Sequence, residues 1–144
     1  MLRFPLLSIL VLVLLMAVFA FTMDQLGLLP RTADVDFRFG IGHLPVRTVI
    51  ATWVLEAMAL TALFLIVQGR FGSWWLDGLA AGWLGWTFRG PLLVLTATGA
   101  ARLDPDPWWH MVLAWWVLYS LCGLAAGALA RGLHRGSEAG PGGG

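Results

Sequence analysis

The sequence has no lysine, one cysteine, one tyrosine and few charges of either sign. All nine basic residues are arginine, which reads as codon bias rather than function. Charged residues make up 12 %, about half the share of an ordinary soluble domain. The net charge of +1 supplies no strongly basic field and excludes a nucleic-acid face of that kind. A lone cysteine, Cys122, excludes an internal disulfide and a zinc cluster. It lies in an apolar run and reads as a small packing residue. There is no Cys/His metal set, no glycine-rich phosphate loop and no nucleophile–base pair. His43 and His110 have no ligand partner at motif spacing. No cofactor is implied.

Apolar sequence is what the chain does have. It is 59 % hydrophobic, with a mean hydropathy of +0.80. A single domain of this length cannot bury that much apolar surface, so the bilayer is the expected solvent. The hydropathy predicts an all-α fold, an integral membrane bundle of four transmembrane helices. The expected spans are residues 6–23, 48–67, 74–98 and 108–130, each about the 20 residues needed to cross the hydrocarbon. Arg3 precedes the first span, as in a signal peptide. The run exceeds a usual apolar signal core, and Ala17-Val18-Phe19-Ala20 is a poor cleavage site, so a retained helix is expected. Residues 136–144 are Gly-rich and read as a disordered tail.

Four spans put both termini on one face, X, and the long loop from Asp24 to Arg47 on the other, Y. Arg3, Arg70, Arg131 and Arg135 fall on X, against Arg31, Arg38, Arg47 and Arg102 on Y. The tie leaves the positive-inside rule undecided and dual topology open. The Arg131, His134 and Arg135 cluster at one helix end favours X as cytoplasmic, in a bacterial inner membrane. In the loop, Asp34, Asp36 and Arg38 alternate with Val35, Phe37, Phe39 and Ile41. That period of two suits a short strand or hairpin, or a loop with aromatic anchors on the membrane.

Glu56 and Arg89 lie deep in two of these spans, where an ionisable group costs several kcal/mol unless paired or hydrated. Glu56 is about 12 Å in from Y by helix rise. Arg89 is about 22 Å from X, hence about 8 Å from Y in a core of about 30 Å. An arginine side chain spans the difference, so pairing is expected. Asp24 and His110 fall in the same half, whereas the X half holds only Asp77, within reach of Arg70 or Arg131. A polar pocket opening to Y is the functional reading. A buried bridge that fixes helix register is the structural one.

The third span carries Gly78, Gly82, Gly85, Arg89 and Thr96 on one stripe, a small-residue face that turns Arg89 inward. Pro91 frees the Thr87 carbonyl and predicts a kink. The fourth span carries Trp109, Trp116, Tyr119, Ser120, Gly123 and Gly127 on one stripe. Gly-Leu-Ala-Ala-Gly occurs at 78–82 and again at 123–127, as expected of two helices packed closely. Trp74, Trp75, Trp108 and Trp109 sit at span ends and read as an interfacial belt. Trp53, Trp86 and Trp116 lie deeper and are expected to line the pocket, whereas Trp83 and Trp115 read as lipid-facing. The candidate ligand-binding residues are Asp24, Trp53, Glu56, Trp86, Arg89, His110 and Trp116.

Met23-Asp24, then Leu29-Pro30-Arg31, then Glu56 in the second span, resembles the EXPERA-type membrane proteins, which include the emopamil-binding sterol isomerases and their receptor-like relatives. The resemblance implies that Asp24 and Glu56 are pocket acids for a cationic or sterol-like ligand. Arg89 has no counterpart in that family, and the loop here is compact.

Three function classes fit these features. One is a membrane protein with a Y-side, Trp-lined pocket for a lipid-like or amphipathic ligand, with or without catalysis. Another is a small proton-coupled transporter, expected as a homo-oligomer (a dimer) and probed by whether Glu56 titrates. The last is a non-catalytic accessory subunit of a larger membrane complex, needing only its apolar faces.

Overall fold

The computed structural model describes residues 3–26, 31–32, 35–36, 46–92, 94–95 and 106–138. Among the described residues the fold is carried by the long helices α1 (Arg3–Gln25), α2 (Val46–Val67), α3 (Trp74–Arg89) and α4 (Asp106–Glu138). The class is all-α. Between α1 and α2, the short strands β1 (Arg31–Thr32) and β2 (Val35–Asp36) pair antiparallel, Arg31 with Asp36 and Thr32 with Val35. Val35 and Asp36 of the alternating pattern thus form the second strand of this hairpin. Residues 37–41 lie outside the described residues.

Three helices, α1, α2 and α4, are long and apolar enough to cross a membrane. The third differs from expectation. It has 16 residues, about 24 Å by helix rise, and stops at Arg89 rather than running through to residue 98. Gly90 breaks it with φ −89° and ψ −92°, and donates its N–H to the Trp86 carbonyl at 2.7 Å. Pro91 then has no N–H to continue the ladder. Residues 91–92 and 94–95 are helical again, with the Val94 N–H on the Gly90 carbonyl at 3.0 Å. At the other end, α4 continues to Glu138, so residues 136–138 are helix and not tail.

The helices alternate in direction. Phe4 stacks near Phe64, with ring centroids 5.7 Å apart, and Ser8 and Thr61 share a buried hydrogen bond at 3.1 Å, which runs α1 against α2. Arg131, near the end of α4, lies 5.6 Å over the Trp74 ring at the start of α3. The first turns of α1 and the last turns of α4 thus share one end with the α2–α3 turn. Helix α1 packs on α2 and α4, α3 packs on the same two, and α2 touches α4 across the bundle.

The α3–α4 contact is the most extensive. The two Gly-Leu-Ala-Ala-Gly segments face each other there. A Cβ built at Gly78 would fall on the Gly123 carbonyl oxygen, and one at Gly123 on that of Gly78. Gly82 meets the Tyr119 carbonyl and Gly127 the Trp74 carbonyl in the same antiparallel register. Backbones this close need glycine at each crossing point. The main core lies alongside, with Leu12, Met16, Ala57, Leu60, Met111, Trp115, Leu118 and Cys122 buried together. A smaller cluster of Phe64, Ala81, Ala126 and Ala130 fills the end near the termini. Large apolar side chains such as Leu14, Phe21, Leu55, Ile66, Phe88 and Leu113 face outward, as a hydrocarbon solvent permits.

The α2–α3 turn uses Gly69 and Gly72 at φ 81° and 73°, where side chains are strained. Asp77 closes it. Its carboxylate accepts the Gly69 N–H at 2.7 Å and the Phe71 N–H at 3.0 Å, and it is buried. Arg70 and Arg131, the partners expected from charge, bond elsewhere: Arg70 Nε donates to the Ile66 carbonyl at 3.1 Å, and Arg131 lies on Trp74. An acid in the first turn also suits the α3 dipole. Asp77→Ala is expected to cost about 1–3 kcal/mol by leaving two turn amides unpaired. Urea or SDS unfolding of the purified protein measures it, and an unchanged midpoint would remove Asp77 from the turn's support.

Candidate functional site

Three helices assemble one polar cluster, partly buried, at the end of an open apolar groove. Glu56 projects from the middle of α2. Arg89 closes α3, where the break at Gly90 ends the helix. Arg89 Nε lies 2.9 Å from Glu56 Oε1, the distance of a charge-assisted hydrogen bond. From α4, the Tyr119 hydroxyl donates to Glu56 Oε2 at 3.3 Å, the long end of the range. The Arg89 guanidinium carbon sits 5.1 Å from the Trp115 ring centroid, within cation–π range. Gly85 makes the arrangement sterically feasible. A Cβ there would stand 3.0 Å from Cδ1 and Cε1 of Tyr119, so glycine lets that edge of the ring pack against α3 while its hydroxyl meets Glu56.

The ion pair borders two voids of different character. One is a small cavity of about 30 Å³ among all four helices, lined by Met16, Phe19 and Met23, by Trp53, and by Met111 and Trp115. Its room is that of a water or two. The other is an open groove of about 560 Å³ between α2 and α3, running from Glu56 and Arg89 past Ala59, Leu63 and Phe88 to Ile66. That volume is in the range of small-molecule sites. The groove runs towards the α2–α3 turn, whereas the small cavity extends towards the opposite end, past Phe19 to Met23 and Met111.

Of the residues expected to form the site, Glu56, Arg89 and Trp53 border the small cavity. Trp86 donates its indole N–H to the Val112 carbonyl at 2.9 Å, packs against the main core and lines neither void. Asp24 is exposed; its neighbour Met23 lines the small cavity but Asp24 does not. His110 is exposed and borders neither void. Trp116 is on the outer surface, its ring 6.3 Å from Trp83. Trp83 is exposed as expected, and its indole N–H donates to Ser120 Oγ at 3.1 Å. Trp115 corrects expectation: it is buried and seats the Arg89 guanidinium. Tyr119 is the other addition. Its signal was available, since the repeated pentapeptides in antiparallel register bring the only tyrosine opposite Gly82 and Gly85.

Of the two acids carried by the EXPERA-type resemblance, Glu56 reaches the groove and Asp24 does not. Among the described residues, no three His, Cys, Asp or Glu side chains converge as a metal site would require. The cluster can therefore bind and orient through one carboxylate, one guanidinium, one phenol and the apolar walls beside them. No protein-family model, curated protein or solved structure matches this chain.

Proposed function

We propose that the chain is a small polytopic membrane protein that binds a lipid-like, amphipathic ligand in the groove between α2 and α3. One observation carries this reading: an apolar groove of about 560 Å³ ends on Glu56 and Arg89. A long apolar wall with a few convergent polar groups at one end is the general form of an amphiphile site. A pair serving register alone has no need of such a groove, and buried ion pairs return little net stability. The membrane is a bacterial inner membrane, with the exposed Arg131 and His134 end of α4 in the cytoplasm.

Photo-crosslinking tests the site. A photoreactive alkyl glycoside, added to the full chain in nanodiscs, is expected to label residues 59–66 and 85–89 saturably. Unsaturable labelling spread around the outward faces of α1 and α4 would mean that only bulk lipid is being reported. A chain that takes no probe and purifies only with larger membrane proteins would belong to the accessory-subunit class instead.

A further inference from the structure

The groove ends on two opposite charges rather than one, and each has a second anchor. Glu56 holds the Tyr119 hydroxyl through its other oxygen, and Arg89 holds the Trp115 ring. The pair can therefore part without leaving either group bare. Both side chains also line both voids, so the pair is the boundary at which the groove stops. A polar group arriving along the groove meets a donor fork on one side and an acceptor on the other.

Charge balance then selects the group. The pair sums to zero. An inserted ammonium or carboxylate adds a third charge and leaves one uncompensated at mid-depth in hydrocarbon, which costs several kcal/mol. A group without charge that both donates and accepts satisfies the two residues at once, giving a hydrogen bond to Glu56 and taking one from Arg89. A hydroxyl or a primary amide does this. From Glu56 to Ile66 the α2 wall rises about 15 Å, which matches a medium-length alkyl chain laid along it.

Building on the ligand-binding reading above, we propose that the groove selects single-chain amphiphiles with an uncharged hydrogen-bonding end. The primary alcohol or amide inserts between Glu56 and Arg89, and the chain runs towards the α2–α3 turn. The test uses the full chain in phosphatidylcholine nanodiscs and photoreactive probes that share one dodecyl chain. Two probes are uncharged, an alcohol and a primary amide, and two carry fixed charge, a trimethylammonium and a sulfonate. Normalised to the amount partitioned into the bilayer, the uncharged probes are expected to label residues 59–66 and 85–89 on the order of 100-fold more than the charged ones.

A charged probe that labels the groove as well as the alcohol overturns this selectivity and leaves the ligand-binding reading standing. Failure of every probe to label the groove saturably overturns both. Charge variants give a second arm. Glu56→Gln should move the preference to the sulfonate, and Arg89→Gln to the trimethylammonium. The double variant has no net charge at the site and should return it to the alcohol and amide. Folded variants that keep the wild-type preference overturn the proposal, and the wild-type series decides the matter where a variant does not fold.

Discussion

Gly123→Val is expected to unfold the bundle or force α3 and α4 apart. A Cβ at Gly123 lands on the Gly78 carbonyl oxygen, with the Gly78 carbonyl carbon at 2.9 Å and the Gly82 nitrogen at 3.1 Å. All three neighbours are backbone, so no side chain can turn aside. Overpacking of a well-filled core costs about 1–3 kcal/mol where side chains can adjust, and a backbone clash belongs at or beyond the upper end. The control is Gly132→Val on the same helix, where a Cβ would meet nothing within 4 Å. Thermal or SDS denaturation of the two variants should separate them widely. Equal stabilities would show that α3 and α4 do not cross as closely as described.

Breaking the ion pair should have the next largest effect. Glu56→Gln leaves Arg89 without its carboxylate, and Arg89→Leu leaves Glu56 with only the Tyr119 hydroxyl. Removing one partner of a buried pair costs about 3–5 kcal/mol. The values here should fall towards the lower end, because the Arg89 side chain is 37 % exposed. The double variant should cost less than the sum of the singles, with a coupling of about 1 kcal/mol or more. Tyr119→Phe should cost only about 0.5–1.5 kcal/mol, the net worth of one hydrogen bond. Strict additivity of the Glu56 and Arg89 variants in equilibrium unfolding would show that the two charges do not support each other.

The meeting of Glu56 and Arg89 was legible because helix rise gives the two a matching depth on consecutive antiparallel helices, and the glycine stripe of the third span turns Arg89 inward. The close crossing of α3 and α4 was legible from glycine spacing and from the repeated pentapeptide. The end of α3 was not. Gly90-Pro91 lies inside an apolar run, and hydropathy does not distinguish a bent helix from one that stops. Trp115 was misread for a different reason. In lipid, inward and outward faces are equally apolar, so the periodicity that marks a core in water carries little information. Asp77 was expected to seek an arginine, but its partners are backbone amides of the turn, which no charge pattern reveals. The direction of the groove depends on where small side chains such as Ala59, Ala62 and Gly85 leave space between α2 and α3, a property of packed surfaces rather than of one helix.

The glycine crossing of α3 on α4 also bears on how the molecule can move. Gly78, Gly82, Gly123 and Gly127 each sit against a backbone carbonyl. Sliding one helix along the other carries a side chain into that contact, so shear between them is blocked. Tightly packed elements of this kind move together or not at all. Helices α3 and α4 then behave as one rigid body, carrying Arg89, Trp115 and Tyr119 with fixed mutual geometry. Glu56 is the member of the cluster on a different body. A movement of α2 relative to the α3–α4 plate would therefore separate Glu56 from Arg89 and Tyr119 together, whereas rotation of the Arg89 side chain alone opens the ion pair and leaves the Glu56–Tyr119 contact in place.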